Sequence, residues 1–154
     1  MAVQLFLGTD NSEATTKQNA ALIRPNTPCI LRYGVEQSNK QSFVGCIAHM
    51  YAYKHNLTTT PTIVEMRTIL VKALSLDRFV QYQNGNLATI FRPKKIDQAD
   101  VDIDRYSNTE FYKSIDIRNE TQVDYLEDTI AAYENFVDFL QNDTSMIDHT
   151  YLWD

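Results

Sequence analysis

The chain has 154 residues, a formal net charge of −6 and an isoelectric point near 5.0. This length predicts one domain that buries about two-thirds of the surface exposed by its unfolded chain. The acidic balance disfavours a general nucleic-acid-binding protein, because the neutralisation of phosphate groups requires clustered Lys and Arg side chains.

The first third of the sequence predicts short strands between polar loops. Residues 3–7 are typical of a short strand or an ordered arm. Residues 29–33 form an apolar run that ends at Gly34, which is typical of a buried strand. The chain has only four Gly and four Pro, which argues against a sandwich or barrel built from many tight turns.

Two helices are predicted in the middle third. The first covers Ser42–Lys54, with Ser42 as the N-cap and His55-Asn56 at its end. Its apolar positions recur at helical spacing: Phe43, Ile47, Met50 and Tyr51. The second covers residues 61–74, with Thr60 as the N-cap and Pro61 at the first helical position, where a missing N–H costs nothing.

The Asn84-Gly85 pair after this helix marks a turn, and residues 87–91 have the β-branched and aromatic character of a strand. Tyr82, before the turn, would pair with that strand in a hairpin. We therefore predict an α+β fold, a predominantly helical single domain over residues 1–154 with a small sheet or hairpin.

The last third predicts a long amphipathic helix over Glu120–Gln141. Its apolar stripe steps by three and four residues through Val123, Leu126, Ile130, Tyr133, Val137 and Leu140. Of these side chains, we predict burial for Leu126, Ile130, Val137 and Leu140. A short helix at residues 109–114 precedes it, opened by a capping-box match at Ser107-Asn108-Thr109-Glu110. Large apolar side chains at residues 151–153 favour the N-terminal part of a longer polypeptide.

No metal or other cofactor is predicted. The acidic residues at positions 97, 100, 102 and 104 invite a calcium-loop interpretation, but an EF-hand loop requires Gly at its sixth position and Glu at its twelfth. Counting from Asp97 gives Asp102 and Asn108 instead. His49 and His55 are six residues apart and do not share a helical face as a metal-binding pair would. The basic cluster Arg92-Pro93-Lys94-Lys95 is too short to favour nucleic acid.

Three residues could carry nucleophilic catalysis, with Ser42 or Cys46 as the nucleophile and His149 as the base. Ser42 lies at a predicted helix start, where the backbone N–H groups and the helix dipole stabilise negative charge. Cys46 lies one turn further on, on the apolar side with Phe43 and Met50, which predicts a buried core cysteine rather than a reactive thiolate. His149 could act only if the last segment folds back. We prefer the interpretation without catalytic residues, in which Ser42 is a helix cap.

The run Gln41-Ser42-Phe43-Val44 resembles the position at which ovarian-tumour-type cysteine proteases carry Asn-Cys-Leu-Phe. The resemblance places Ser42 where that family has its nucleophilic cysteine, and Asn39-Lys40 where it usually has Asp-Gly. A serine in that place lacks the thiolate on which the family's chemistry depends. The resemblance therefore implies a degenerate peptidase acting on ubiquitin-like substrates, which is the alternative function.

A second resemblance covers three separate runs of the chain: Ile30-Leu31-Arg32-Tyr33-Gly34-Val35, then Gln41-Ser42-Phe43-Val44 with Cys46-Ile47-Ala48, and the ending His149-Thr150-Tyr151-Leu152-Trp153-Asp154. These runs resemble a segment in large proteins of nucleocytoplasmic large DNA viruses, related to the large subunit of the virion early transcription factor. The resemblance implies a non-catalytic interaction or scaffolding domain that binds a viral or host protein. It transfers no ATP-binding residues, because no glycine-rich phosphate loop is present.

The predicted location is the host cytoplasm or the virion. The sequence begins without a signal peptide, and no stretch approaches the roughly 20 apolar residues of a membrane span. Two cysteines, Cys29 and Cys46, do not make a disulfide framework, which agrees with a reducing intracellular setting.

Overall fold

The computed structural model of the chain describes residues 4–6, 30–32, 34–93 and 101–152. The chain divides into two units, Met1–Glu36 and Gln37–Asp154. In the first unit, strand β1 (Gln4–Phe6) pairs antiparallel with strand β2 (Ile30–Arg32). Two strands of three residues each are too short to provide a sheet layer on which helices could pack.

The second unit is built from helices joined by loops and two 3-10 turns. The helices are α1 (Ser42–Lys54), α2 (Ile63–Ala73), α3 (Leu76–Phe79), α4 (Asn86–Ile90), α5 (Glu110–Lys113), α6 (Glu120–Gln141) and α7 (His149–Leu152). The 3-10 turns cover Tyr82–Gly85 and Ile103–Tyr106. The described residues from 37 onward contain no strand, so the predicted α+β fold is wrong and this unit is all-helical.

The predicted strand at residues 87–91 is wrong because the turn before it starts a helix. Gln83, Asn84 and Gly85 all have positive φ, at 49°, 55° and 83°. This left-handed stretch leads directly into α4, and Tyr82 belongs to the 3-10 turn rather than to a hairpin. Leu87 is then buried, and its carbonyl oxygen accepts a hydrogen bond of 3.0 Å from the N–H of Phe91.

The core of the second unit surrounds α6, whose two predicted boundaries are confirmed. Leu126, Ile130 and Leu140 are buried, as predicted. Val137 is only partly buried, because the inward position belongs to Phe136, whose ring centroid lies 4.9 Å from that of Phe91. The other helices contribute further buried apolar side chains: Val44, Ala48, Ile63, Met66, Leu76, Phe79, Leu87, and Ile147 after α6.

Helix α2 begins at a different cap from the one predicted. Thr62 caps it, accepting a 3.2 Å hydrogen bond from the N–H of Glu65, while the Glu65 carboxylate accepts a 2.8 Å bond from the N–H of Thr62. The bond from the Thr62 N–H, together with a 3.0 Å bond that the Thr62 hydroxyl donates to the same carboxylate, lowers the pKa of Glu65. Thr60 has Ile63 three residues later and cannot form such a reciprocal pair, so Thr60 and Pro61 lie outside the helix.

The short helix α5 is also capped by a threonine. The predicted helix at residues 109–114 is observed within one residue at each end, as Glu110–Lys113. Its cap is Thr109, whose hydroxyl accepts a hydrogen bond of 3.2 Å from the N–H of Tyr112. The predicted capping box starting at Ser107 is therefore wrong.

Two buried polar side chains hold the segment that follows α6, and we call them the Gln41–Arg67 clamp. The Gln41 amide nitrogen lies 3.1, 3.2 and 3.0 Å from the carbonyl oxygens of Asn142, Asp143 and Ser145. Arg67, on α2, donates a 2.9 Å hydrogen bond to the carbonyl oxygen of Gln141 and pairs with the Asp143 carboxylate. Gln41 and Arg67 are 3% and 5% exposed, so buried donors bind a segment whose residues 141–143 are themselves exposed.

The clamp supplies what α6 lacks at its C-terminal end. The last carbonyl groups of a helix have no partner inside it and carry partial negative charge. The last turn of α6 contains no basic residue, so the Arg67 guanidinium is brought from another helix. The backbone of Ile147 then donates a 3.0 Å hydrogen bond to the carbonyl oxygen of Lys40, which fixes the returning chain beside the start of α1.

No helix in the described part of the chain combines the length and the apolar character needed to cross a membrane. Helix α6 has 22 residues, but acidic side chains occur along its whole length. Helix α6 instead packs in the second unit, where its buried side chains extend from Leu126 to Leu140.

We predict that Ile130→Ala lowers the free energy of unfolding by about 2–5 kcal/mol, because a fully buried side chain is replaced by a cavity. The matched control is Ile117→Ala, which removes the same atoms from a side chain that is 61% exposed. It should change the stability by no more than about 0.5 kcal/mol. Urea unfolding of both variants measures the difference, and equal costs would contradict the packing of α6.

We predict that Gln41→Ala costs about 1–3 kcal/mol of stability, because three carbonyl oxygens lose their shared interior donor. Gln81→Ala, at an exposed position, is the control and should stay within about 0.5 kcal/mol of the parent. Hydrogen exchange of the Ile147 amide should also accelerate in Gln41→Ala. An unchanged exchange rate would show that the clamp does not hold this segment.

Candidate functional site

Ser42 is the first residue of α1, and the predicted role of Ser42 as its N-cap is wrong because Gln41 occupies that position. The Ser42 hydroxyl donates a 2.6 Å hydrogen bond to the carbonyl oxygen of Ser38 and accepts one of 2.9 Å from its N–H. The Ser38 hydroxyl in turn accepts from the N–H groups of Lys40 and Gln41. Both serines therefore stabilise the loop, and the Ser42 proton is directed at a carbonyl rather than at a base.

His149 reaches the start of α1, so the folding back that catalysis would require does occur. Its ring lies edge-on to that of Phe43, with 6.2 Å between the centroids. Within the described residues, His149 forms no hydrogen bond with Ser42 or Cys46. The adjacent Asp148 carboxylate accepts a 2.9 Å hydrogen bond from the N–H of Thr150, which lowers the pKa of Asp148. Asp148 thus stabilises the start of α7 and does not orient the His149 ring.

Cys46 is exposed, and the prediction of a core cysteine is wrong. The error comes from the face of α1 that was assigned to the core. The buried positions of this helix are Val44, Gly45, Ala48 and Ala52, a face of small residues. Large apolar side chains on the other sides of α1 are therefore left partly or fully accessible, although the helix itself was predicted with both boundaries.

Four side chains on and just after α1 form an exposed apolar stripe, which we call the α1 outer face: Cys46, Met50, Tyr53 and Leu57. Met50 is 70% exposed, Tyr53 82% and Leu57 45%. The spacing of four, three and four residues places the first three on one side of the helix. A shallow, open groove on this surface is lined by neighbouring α1 residues, including Ile47, Met50 and Tyr53.

Leu57 is held at the end of this stripe by the way α1 stops. The predicted end at His55-Asn56 is confirmed, with Asn56 in the left-handed conformation at φ 52°. The N–H of Leu57 donates a 2.9 Å hydrogen bond to the carbonyl oxygen of Ala52, and the N–H of Asn56 donates one of 3.3 Å to Tyr53. These two bonds make a Schellman motif, which fixes the chain direction after the helix.

A second apolar cavity, of about 260 Å³, lies where α1, α2, α6 and α7 meet. Its walls are Ile47, Leu70, Ala73, Leu74, Tyr82, Phe136, Leu140, Tyr151 and Leu152. Tyr151 packs its ring 5.0 Å from that of Phe139 and 5.7 Å from that of Phe91. The large residues near the end of the sequence therefore pack on the helical unit, whereas Trp153 lies outside the described residues.

The other sequence-predicted candidates do not come together as a site. Arg92 pairs with Asp128 of α6, whereas Lys94 and Lys95 lie outside the described residues. Asp102 and Asp104 flank or lie in the second 3-10 turn, and positions 97 and 100 are also outside. In the part of the chain that the structure describes, no three His, Cys, Asp or Glu side chains are arranged to hold a metal ion.

The clearest electrostatic perturbation belongs to a structural contact. Partial burial, together with a 2.9 Å hydrogen bond to the Glu134 carboxylate, raises the pKa of Tyr106. Burial likewise raises the pKa of the neighbouring Tyr133. Strong shifts often mark functional groups, but here a neutral phenol links the second 3-10 turn to α6. Tyr106 and Tyr133 therefore stabilise the helical unit.

No protein-family model, no curated protein and no solved structure gives a significant match to this chain. The viral and the peptidase resemblances therefore stay predictions that depend on the residues quoted for them.

Proposed function

We propose that this chain is a non-catalytic interaction or scaffolding domain of a large DNA virus protein, associated with transcription or with the virion, and that it acts in the host cytoplasm or the virion. The observation that carries the interaction role is the exposure of the α1 outer face. Met50 and Tyr53 are among the most exposed large hydrophobic side chains of the described residues. Exposed apolar residues that share one helix face favour a protein contact.

The internal packing of the helical unit gives the outer face no structural role. The core contacts of α1 use Val44, Ala48 and Ala52 on its small-residue face. Tyr and Met are also enriched at the cores of protein interfaces, where their large side chains become buried on binding. The outer face therefore has the composition of an interface and not of a solvated helix surface.

The viral assignment is supported by the places at which its matching residues lie. Two of the matching runs, one of residues 41–44 with 46–48 and one of which residues 149–152 are described, are about one hundred residues apart in the sequence. Phe43 from the first run and His149 from the second are in ring contact, and the N–H of Ile147, before the second run, donates a hydrogen bond to the carbonyl oxygen of Lys40, before the first. Residues that share a resemblance and also share a surface are what a common interaction module requires.

The alternative is a degenerate peptidase of the ovarian-tumour type with Ser42 or Cys46 as nucleophile and His149 as base. Two observations favour it: Cys46 is exposed, and His149 lies at the start of α1. Against it, the Ser42 hydroxyl is engaged by the backbone of Ser38 in both of its hydrogen bonds. Catalysis by Ser42 would require these bonds to break, whereas the interaction role leaves them in place, and we prefer the interaction role.

We predict that Met50→Glu abolishes binding of the natural partner and leaves the free energy of unfolding within about 0.5 kcal/mol of the parent. Met146→Glu is the matched control, because Met146 is 62% exposed but lies outside the α1 outer face. Tagged full-length chains would be used to enrich proteins from infected host cells. A partner retained by the parent and by Met146→Glu, but lost with Met50→Glu, would support the proposal. Equal recovery with all three chains would contradict it.

We predict that the chain forms no covalent adduct with a ubiquitin carrying an electrophile at its C-terminus. Intact-mass measurement after incubation checks this, with the parent, Cys46→Ala and His149→Ala compared. An adduct that disappears in both variants would establish a Cys–His pair and overturn the non-catalytic role. Ser42→Ala, tested beside them, identifies the nucleophile if the adduct survives Cys46→Ala.

A further inference from the structure

The neighbourhood of the α1 outer face differs in charge from the rest of the chain. Residues 37–64 contain none of the 20 acidic residues, although the chain as a whole has a net charge of −6. The same stretch carries Lys40 and Lys54 and two of the three histidines, His49 and His55. Lys54 and His55 are exposed at the end of α1, next to Tyr53. Lys54 thus places positive charge at the Tyr53 end of the apolar stripe on an otherwise acidic protein, whereas the Lys40 ammonium donates a 2.9 Å hydrogen bond to the carbonyl oxygen of Thr144.

The shape of this surface suits a helix. Cys46, Met50 and Tyr53 are spaced by about one turn each, so the stripe extends for about 10 Å along α1. An amphipathic helix that lays anchor residues at positions i, i+3 or i+4 and i+7 along such a stripe would cover it. The groove bounded by Ile47, Met50 and Tyr53 would receive its side chains.

We propose that the α1 outer face binds an acidic amphipathic helix presented by a partner protein. This inference rests on the proposed interaction role and adds the chemistry of the partner. Acidic residues flanking the apolar anchors of that helix would meet Lys54 and no carboxylate from residues 37–64, and this charge complementarity would select the partner and accelerate its association. Carboxylates elsewhere on this chain would repel acidic partners that approach other faces.

The charge and size of the surface argue against three other occupants. Two lysines are too few for nucleic acid or an anionic membrane, which need clusters of basic side chains. A second copy would present the same acid-free face and bring two chains of charge −6 together. An acidic helix of another protein is the occupant that matches both the apolar stripe and its border.

Three synthetic helical peptides that share one apolar face and carry Glu, Gln or Lys at the flanking positions would test this by fluorescence anisotropy with the full-length chain. We expect the Glu peptide to bind at least about tenfold more tightly than the Lys peptide at low salt. The difference should shrink as salt is added. Lys54→Glu should reverse the preference, whereas the control Lys72→Glu, exposed on α2, should keep it.

The stripe is tested with the same peptides. Met50→Glu should lower the affinity for the Glu peptide at least about tenfold, and Met146→Glu should leave that affinity unchanged. Equal affinities for the Glu and Lys peptides would refute the acidic helix. If the two affinities were equal but Met50→Glu abolished recovery of the natural partner from cells, the interaction role would stand and only the acidic helix would be refuted. Dimerisation that Met50→Glu abolishes, or Lys54-dependent binding to phosphatidylserine vesicles, would replace the acidic helix with a second copy or a membrane surface.

Discussion

The helical unit depends on how the C-terminal end of its longest helix is satisfied. Four backbone carbonyl groups after residue 140 accept hydrogen bonds from side chains, and α6 has no basic residue in its last turn. Gln41 and Arg67 provide those donors from two other segments, so one cluster joins the start of α1, the side of α2 and the end of α6. Burying the Gln41 amide and the Arg67 guanidinium costs less because these carbonyl groups accept their hydrogen bonds, although the Nε of Arg67 is buried without a partner among the described residues.

The Arg67–Asp143 ion pair contributes less than the hydrogen bonds to the backbone. The Arg67 side chain is 6% exposed, whereas the Asp143 side chain is 84% exposed, so solvent screens one half of the pair. The guanidinium is nevertheless desolvated and must be compensated by the carbonyl oxygen of Gln141 and the helix C-terminus. The hydrogen bonds of the clamp to backbone carbonyl groups, more than the ion pair, therefore fix the position of the segment that follows α6.

Local sequence signals predicted the boundaries of the helices better than they predicted which side of each helix is buried. Both ends of α1 and α6 follow from apolar periodicity and from stop signals such as His55-Asn56, which depend only on neighbouring residues. The inward face of α1 was not predictable in this way, because Phe43, Ile47 and Met50 gave the stronger stripe. Tertiary packing chose the small residues Ala48 and Ala52 instead. A search for small residues four apart would have been the one available signal.

Two of the other errors depend in part on residues distant in sequence. Residues 87–91 have a strand-like composition, but burial of Leu87 against the helical core favours the helix α4 over a strand. Gln41 looked like an ordinary loop residue, and its importance lies in carbonyl groups about one hundred positions later. The candidate site was thus half predictable: the corner at Ser42 was located from sequence, while its hydrogen bonds and the neighbouring outer face were not.

The small-residue face and the outer face of α1 are two consequences of one packing choice. When Ala48 and Ala52 pack against the core, Met50, two positions from each of them, lies on the other side of the helix and stays exposed. The clamp lies at the opposite end of α1 from Tyr53 and does not contact the stripe. Stability and the proposed recognition are therefore assigned to separate sets of side chains, so we expect substitutions at Gln41 and at Met50 to separate the two properties.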